Sequence, residues 1–309
     1  MLSGNVRAVE FYSGIGAFAE AAQSTDIRIV AAFDQSQTAN LVYEQNFGLR
    51  PRSRNLDSIP ASELPPADLW WMSPPCKPFT VRGRRRDELD PRAVSFLNLI
   101  GLLPLCQPQA VMVENVGGFA DSRVKAHLIS VLSQSGYTLK ELDLCPTDFG
   151  VPMRRPRHFV LAVRSGFRIL EAGARRWNFL PLPHFLEPDP SPALTVEAST
   201  MTRHSRGFDV VDPSRPDASL ICFTSGYGRC LKASGSFISM PDGQVRRLSP
   251  EEILRLLGFG ESFRLPPKID LRTCWRLVGN SVDVRSVRHL LSMIGLSTSR
   301  NQATRQASV

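Results

Sequence analysis

Residues 9–18 read Val-Glu-Phe-Tyr-Ser-Gly-Ile-Gly-Ala-Phe, an apolar strand that runs into a Gly-x-Gly turn and then a helix. Glycine lets a backbone turn tightly and approach a ligand closely, and the first N–H groups of the helix are available to an anionic group. Many strand-to-helix turns use glycine for steric reasons alone. The next strand, however, ends at Asp34, whose carboxylate can accept hydrogen bonds from ribose hydroxyls. The third glycine of the dinucleotide fingerprint is missing, so the turn favours a single nucleoside-type cofactor.

Outward from this turn, short apolar runs alternate with helical segments to about residue 165, which predicts β-α-β units and a mostly parallel sheet. The predicted strands are Ala8–Tyr12, Arg28–Phe33, Leu69–Met72, Ala110–Glu114, Leu139–Cys145 and His158–Val163. The predicted helices are Phe18–Gln23, Thr38–Asn46, Ala93–Leu103 and Val124–Ser133. The fold class is therefore α/β.

The alternation breaks over 166–245, where prolines are followed by polar, glycine-containing sequence typical of a smaller irregular domain. Helical signals return at Ser249, which can cap a helix with Pro250 in its first turn and Glu252 completing a capping box. A last helix is predicted from Val284 to about Ile294. The tail over 297–309 is polar, and we expect it to be flexible.

The chain has 309 residues, a net charge of +8 and arginine clusters such as Arg82, Arg84 and Arg85, which favour a polyanionic partner over a merely solvated face. Its six cysteines show neither CxxC pairs nor zinc-type spacing, so we expect thiols, no metal and a reducing compartment, the cytoplasm. No run of about 18 apolar residues and no signal-peptide pattern is present, so no membrane association is expected.

Cys76 stands in Ser73-Pro74-Pro75-Cys76-Lys77-Pro78, directly after the apolar run Leu69–Met72. Proline fixes φ and donates no backbone hydrogen bond, so the strand must stop and leave the thiol at a rigid exit. Ligands of open α/β sheets bind outside the carboxyl ends of the strands, which makes this thiol a candidate nucleophile. A small buried hydrophobe is the alternative for a cysteine without such surroundings.

Two further motifs bring polar groups to strand ends. Glu114 ends a buried strand, where a carboxyl group could hold or protonate the ring nitrogen of a base; capping of the next element is the alternative. Arg155 and Arg157 alternate before a strand and would point the same way on an extended chain, where a guanidinium can fix a carbonyl oxygen of a base or a phosphate.

Together with Gly279-Asn280-Ser281-Val282 near the end, these motifs resemble those of the S-adenosylmethionine-dependent cytosine-5 methyltransferases. They occur in the same order as in that family, and the resemblance covers most of the chain. The resemblance implies a Rossmann-like catalytic and cofactor-binding domain over 1–165, completed by 246–296, with a target-recognition domain over 166–245. It implies that Cys76 adds to carbon 6 of cytosine, so that carbon 5 can take the methyl group. Glu114 would hold the ring nitrogen and amino group, Arg157 the base carbonyl oxygen, and Arg155 would support the site.

For S-adenosyl-L-methionine, the resemblance implies that Tyr12 lies against adenine, that Asp34 binds the ribose and that Asn55 and Leu56 lie near the adenine edge. The other residues that it assigns to the cofactor site are Gly14, Gly16, Pro74, Asn280 and Ser281. Three departures from the family pattern are Ala17, Lys77 and Met153. None of them removes a group that does covalent chemistry, so activity is expected.

The element Ile221-Cys222-Phe223-Thr224, with Gly226-Tyr227-Gly228, resembles the branch of the family that methylates transfer RNA, typically an anticodon-loop cytosine of the aspartate tRNA. It implies that Cys222, Thr224 and Tyr227 help to bind nucleic acid. A target base must be flipped out or already unpaired, and Arg82, Arg84 and Arg85 fit a loop that closes over the strand. A DNA methyltransferase and a nucleic-acid-binding protein without catalysis stay open as alternatives. We expect a monomer.

Overall fold

The structure, a computed structural model, describes residues 5–79, 87–171, 177–197, 199–200 and 207–296. The strands are β1 (Val6–Phe11), β2 (Ile27–Phe33), β3 (Leu69–Met72), β4 (Ala110–Val116), β5 (Thr138–Leu144), β6 (Met153–Arg154), β7 (Arg157–Val163), β8 (Phe167–Ile169), β9 (Asp209–Val211), β10 (Leu220–Ile221), β11 (Ser236–Ser239), β12 (Val245–Arg246) and β13 (Ile294–Leu296). The helices are α1 (Ala17–Ala22), α2 (Gln37–Phe47), α3 (Val94–Cys106), α4 (Arg123–Gln134), α5 (Pro250–Leu256), α6 (Leu271–Gly279) and α7 (Val284–Ser292).

Six strands form the central sheet in the order β2-β1-β3-β4-β7-β5. The strands from β2 to β4 pair in parallel, and β7 runs antiparallel to both of its neighbours. Side chains of β1 and β3 pack on one face with α3 and α4, and Glu10 meets Tyr43 of α2 on the other. Burial on both faces explains the continuous apolar run of β3. The predicted α/β fold with a mostly parallel sheet is confirmed.

Helix boundaries follow the local capping residues. Ser36 caps α2 by accepting a hydrogen bond from the Ala39 N–H (3.2 Å). The predicted capping box of α5 is present, because the Glu252 N–H donates to the Ser249 hydroxyl (3.1 Å) and the Ser249 N–H donates to the Glu252 carboxylate (2.8 Å). Among the described residues, none of the helices has the length and apolar character needed to cross a membrane.

The carboxyl-terminal region differs from the sequence prediction in two places. Helix α6 was not predicted, although Asp270 caps it by accepting from the Thr273 N–H (3.0 Å). The last helix ends at Ser292 rather than near Ile294, because the following residues form β13, which pairs antiparallel with β8. Tertiary strand pairing overrides helical propensity here.

The chain divides into two compact units. The first contains the described parts of 1–144, 156–173 and 287–309, and includes the central sheet. The second contains the described parts of 145–155 and 174–286, and includes the short strands β9, β11 and β12. These boundaries differ from those predicted at 165 and 245, since residues 145–155 and 246–286 pack with the second unit. The functional assignment of the predicted domains stays a prediction.

Candidate active site

The carboxyl ends of the parallel strands place polar residues in one row of the first unit. Phe11 pairs with Phe33 on β2 and with Met72 on β3, and Met72 pairs with Val113 on β4. The residue that follows each of these paired positions therefore lies along the same edge of the sheet. In chain order these residues are Tyr12, Asp34, Ser73 and Glu114. Antiparallel β7 starts at this edge with Arg157, which pairs with Val116.

Backbone N–H groups of the turns after β1 and β2 bind the Asp34 carboxylate. The Gly14 N–H donates to one oxygen of the Asp34 carboxylate (2.9 Å), and the Ser36 N–H donates to the other (2.8 Å). Gly14 has a φ of 53°, and a Cβ there would have no atom within 4 Å, so the turn faces open space. Gly16 has a φ of 94°, and a Cβ on it would overlap the ring of Phe47. Both glycines thus have a positive φ. At Gly14 the absence of a side chain also leaves space beside the turn, whereas at Gly16 it also avoids a clash with Phe47.

Two polar groups of this turn are buried. Burial raises the pKa of Asp34, and the N–H groups of Ser36 and Gly14 partly offset that effect. The Ser13 hydroxyl is buried and has no hydrogen-bond partner among the described residues. An unpartnered buried hydroxyl is costly and indicates a place for a ligand or water. Sequence analysis did not select Ser13, although it stands between two predicted site residues.

The residues predicted to lie near the adenine, Tyr12, Asn55 and Leu56, differ in their exposure and in their contacts. Tyr12 donates its hydroxyl hydrogen to Ser95 (2.9 Å), and burial raises its pKa. Asn55 is exposed, and its side-chain oxygen lies 3.4 Å from the amide nitrogen of Gln35, next to Asp34 in the chain. Leu56 is 3% exposed and belongs to the core. The side chain of Leu56 thus serves packing, and only its backbone remains for a cofactor edge.

The cysteine loop is fastened to the end of β4 and to the loop that follows it. The Asn115 side-chain amide donates to the Pro74 carbonyl (2.9 Å). Cys76 is exposed at a turn that is closed by the Phe79 N–H donating to the Cys76 carbonyl (2.9 Å). Past this turn, a Cβ on Gly118 would overlap the Phe79 carbonyl oxygen, so the two loops touch through their backbones. The predicted rigid exit is therefore braced by tertiary contacts as well as by prolines.

Glu114 is 7% exposed and is held from two sides. The Ser73 hydroxyl donates to its Oε2 (2.7 Å), and Arg157 Nε lies 3.2 Å from its Oε1. A hydroxyl and a guanidinium on opposite oxygens of one carboxyl group fix its plane. The structure thus brings the predicted pair of Glu114 and Arg157 together, beside the residue that opens the cysteine loop.

Arg92 is a charged neighbour of the thiol that sequence analysis missed. Its hydrogen bond to Asp90 raises the pKa of this guanidinium, and attraction to Cys76 contributes to the same shift. A cation beside a cysteine favours the thiolate, which is the reactive form. Asp90-Pro91-Arg92, an N-cap followed by proline, marks a helix start in the sequence but gives no sign of proximity to Cys76.

A sequence model of the C-5 cytosine-specific DNA methylase family matches residues 6–201. The chain belongs to this cytosine-5 methyltransferase family. It is 32% identical over 321 residues to the tRNA (cytosine(38)-C(5))-methyltransferase of Schizosaccharomyces pombe, covering 94% of this chain and 96% of that protein. It is 28% identical to the DNA (cytosine-5)-methyltransferase of Dictyostelium discoideum, with 94% of each chain covered. The solved structure of the Entamoeba histolytica methyltransferase EhMeth matches with a TM-score of 0.86 at 26% identity, covering 94% of this chain and 98% of that one.

The second unit of the cytosine-5 methyltransferase contains Arg155, which is 3% exposed. Its Nη1 donates to the Phe223 carbonyl (2.7 Å) and to the Cys222 sulfur (2.9 Å). Its Nη2 donates to the carbonyls of Gly279 (3.1 Å) and Ser281. Arg155 therefore joins the Cys-Phe-Thr element to the Gly-Asn-Ser element within this unit.

Arg155 and Arg157 do not share a direction. Arg157 belongs to the first unit and pairs with Glu114, whereas Arg155 binds backbone of the second unit. The expectation that both point the same way was wrong because β6 ends at Arg154 and β7 begins at Arg157. No continuous strand carries both residues, so the alternation of a strand does not apply.

Tyr227 was expected to contact nucleic acid, but its side chain is fully buried. Its hydroxyl donates to the Ser236 carbonyl (2.7 Å) and accepts from the Leu248 N–H (3.0 Å), and burial raises its pKa. Tyr227 is thus a core residue of the second unit, and that expectation is corrected. Thr224 is partly exposed, and its hydroxyl accepts from the Gly226 N–H (3.2 Å).

The remaining predicted site residues are less constrained by the structure. Asn280 is exposed at the end of α6, and the Ser281 hydroxyl is buried without a hydrogen-bond partner in the described part of the chain. Arg82, Arg84 and Arg85 lie outside the described residues. Within those residues, no cluster of three or more His, Cys, Asp or Glu side chains is placed to hold a metal ion.

Proposed function

We propose that this cytosine-5 methyltransferase modifies an unpaired cytosine of tRNA through a covalent adduct with Cys76. One observation carries the proposal: Glu114 is held between the Ser73 hydroxyl (2.7 Å) at the start of the cysteine loop and the Arg157 guanidinium (3.2 Å). A nucleophile loop, a carboxyl group and a guanidinium thus converge at the ligand-binding edge of an α/β sheet.

In the proposed reaction, the Cys76 thiolate forms a bond to carbon 6, and the electrons of the 5,6 double bond become available at carbon 5. Glu114 binds the ring nitrogen and amino group, and Arg157 binds the carbonyl oxygen, so that charge developing in the ring is stabilised by groups already in place. Arg92 favours the thiolate. After carbon 5 accepts the methyl group, it loses its proton to water and the bond to the Cys76 sulfur breaks.

The turn after β1 fits S-adenosyl-L-methionine, which supplies the methyl group when bound. The space beside Gly14, the unpartnered Ser13 hydroxyl and the Asp34 carboxylate support this assignment. Asp34 would accept hydrogen bonds from the ribose hydroxyls, and Ser13 would bind a polar group of the cofactor. Pro74 closes the same edge of the sheet next to the cysteine. For Asn280 and Ser281, the proposed cofactor role rests on the family resemblance alone.

Two observations support tRNA over DNA. The S. pombe relative, named a tRNA methyltransferase, is 32% identical, against 28% for the D. discoideum relative, named a DNA methyltransferase. The Cys-Phe-Thr element of the tRNA branch is present, and Arg155 holds it in place. An anticodon loop also presents unpaired bases, which avoids the cost of opening a duplex.

The test incubates the protein with labelled S-adenosylmethionine and either total tRNA or duplex DNA. We expect label in tRNA, and none with Cys76→Ala. Cys230→Ala, which removes another exposed thiol, is the matched control and should stay active. Label in DNA alone would overturn the tRNA assignment. Binding of tRNA with no methyl transfer, and no gel-stable adduct on 5-fluorocytosine tRNA, would establish the catalytically silent alternative.

We also propose a monomeric enzyme of the cytoplasm. All six cysteines are thiols in the structure, which agrees with a reducing compartment. Light scattering of the purified protein would measure its mass, and fractionation of cells would test its location.

A further inference from the structure

We infer that Trp177 and Phe179 form a stacking surface for unpaired bases of the nucleic acid substrate. The inference rests on the proposed function, since it takes nucleic acid as the substrate. It adds a binding surface in the second unit, at residues to which the family resemblance assigns no role.

The exposure of this aromatic pair is unusual for the molecule. The exposed large hydrophobic side chains among the described residues are Leu41, Leu89, Val94, Leu105, Trp177, Phe179 and Val210. Trp177 (44% exposed) and Phe179 (57% exposed) are the aromatic members of this set, and they stand two residues apart. Single exposed apolar residues are common on protein surfaces, but neighbouring exposed aromatic rings indicate a contact surface.

The segment that carries the pair is fixed to its own unit. The Leu180 N–H donates to the Gly150 carbonyl (2.9 Å), and the Trp177 ring meets the edge of Phe149 at 5.6 Å between centroids. Gly150 has a φ of 75°, and a Cβ on it would overlap the Asn178 carbonyl. The backbone of this segment and the Trp177 ring are therefore held in place while both aromatic side chains stay exposed, which lowers the entropy lost when a ligand binds.

The chemistry around the pair favours nucleic acid over an apolar protein partner. Asn178, between the two aromatic residues, is exposed, so the apolar surface is narrow. Arg154 is exposed. It follows Gly150 by four residues, so its Cα lies at most about 14 Å from that of Gly150. In the sequence, Arg175 and Arg176 precede Trp177, but they lie outside the described residues. Exposed aromatic rings on a chain of net charge +8 are typical of surfaces that bind single-stranded nucleic acid.

Tryptophan fluorescence gives a direct readout. Trp70, Trp71 and Trp275 are at most 5% exposed, whereas Trp177 is 44% exposed. A base stacked on Trp177 would quench this residue and leave the buried ones unchanged. We expect quenching on titration with tRNA, and much weaker quenching with duplex DNA, whose bases are already stacked. Trp177→Phe keeps an aromatic ring on Phe149 and should abolish the quenching.

Kinetics provide the second readout. Phe179→Ala and Trp177→Ala should each raise KM for tRNA by roughly fivefold to a hundredfold, with kcat unchanged, because stacking of one base contributes that much and neither ring touches the reacting atoms. Leu105→Ala removes a still more exposed apolar side chain (71% exposed) from the first unit and should leave KM unchanged.

Two results would overturn the inference. One is an unchanged KM in both Phe179→Ala and Trp177→Ala, which is the result expected of a surface that binds another protein. The other is the absence of quenching by tRNA. Both are separable from failure of the proposed function, because methyl transfer by the wild type is measured in the same tRNA reaction, and titration with a single-stranded oligonucleotide tests stacking even without catalysis.

Discussion

Arg155 and Arg157 stand two residues apart and are chemically identical, yet they belong to different units, and their guanidinium groups bind different kinds of partner. Arg157 faces one buried carboxylate in the first unit, where a substrate carbonyl could compete for its donors. Arg155 gives its donors to three backbone carbonyls and a thiol of the second unit. The difference shows that a motif of alternating arginines can join a residue that pairs with a carboxylate to a residue that binds backbone carbonyls.

The comparison predicts the largest loss of stability at Arg155. Arg155→Met removes the donors of buried acceptors, so we expect a destabilisation of about 3 kcal/mol and a Tm lower by roughly 5–10 °C. Thermal unfolding followed by circular dichroism measures this. Arg154→Met, the exposed neighbour, is the control and should leave Tm nearly unchanged. Equal Tm values for both variants would contradict the architectural role.

Arg157 should show the reverse pattern, with a large effect on rate. Arg157→Met removes a donor from the carbonyl oxygen of the base, and we expect methyl transfer at saturating tRNA to slow by about 10²–10³-fold. Its Tm should fall less than that of Arg155→Met. Adduct formation on 5-fluorocytosine tRNA should slow in parallel. A variant with a normal rate and a strongly lowered Tm would reverse the comparison.

A second contrast exists between two buried carboxyl groups of the first unit. Glu114 has a guanidinium and a hydroxyl as donors, whereas Glu10 has the Tyr43 hydroxyl (2.8 Å). Burial raises the pKa of Glu10 from 4.5 to about 8, with the charge of Asp34 adding to the shift. The folded protein therefore keeps a proton that the unfolded chain loses between these two values.

Wild-type stability should accordingly fall as pH rises from about 4.5 to about 8 and show no further dependence on Glu10 above that range. Glu10→Gln removes this slope, so the variant should gain up to a few kcal/mol relative to wild type near pH 8 and nothing near pH 4. Urea unfolding across this pH range measures the difference. Parallel stability curves for the two proteins would show that Glu10 is ionised in the fold.

The smallest effect is expected at Ser73. Ser73→Ala removes one hydrogen bond to Glu114, which should lower kcat about tenfold while KM for tRNA changes little. Ser73→Thr keeps the hydroxyl and should recover most of the rate. An unchanged pH profile and kcat in Ser73→Ala would show that Arg157 alone orients Glu114.

Sequence analysis predicted the parts of the molecule that depend on local signals. Periodicity located the six central strands, and the capping residues Ser249 and Glu252 located α5. Helix α6 carries an equally local signal in Asp270, which was overlooked. The short pairing of β13 with β8 has no local signal, because it depends on a partner more than a hundred residues away in the chain.

The candidate site was predictable as a set of residues but not as an arrangement. Glycine and proline patterns selected Gly14 and Cys76, and the end of the second predicted strand selected Asp34. The brace between loops depends on Ser73 and Asn115, which are common polar residues with no distinguishing sequence pattern. The burial of Tyr227 was equally hidden, because a Tyr-Gly pair in a polar stretch gives no indication of the aromatic neighbours that enclose it.

The reversed direction of β7 determines where the chain passes from the second unit back to the central sheet. In a wholly parallel sheet, the first residue of a seven-residue strand would lie about 20 Å from the ligand-binding edge. Because β7 runs the other way, the chain leaves the second unit at Arg155 and reaches that edge two residues later. A lengthened or exchanged segment before Arg155 would therefore be separated from Arg157 by Arg155 and Pro156 alone, so a change of sequence at this point should preserve the Arg-Pro-Arg junction.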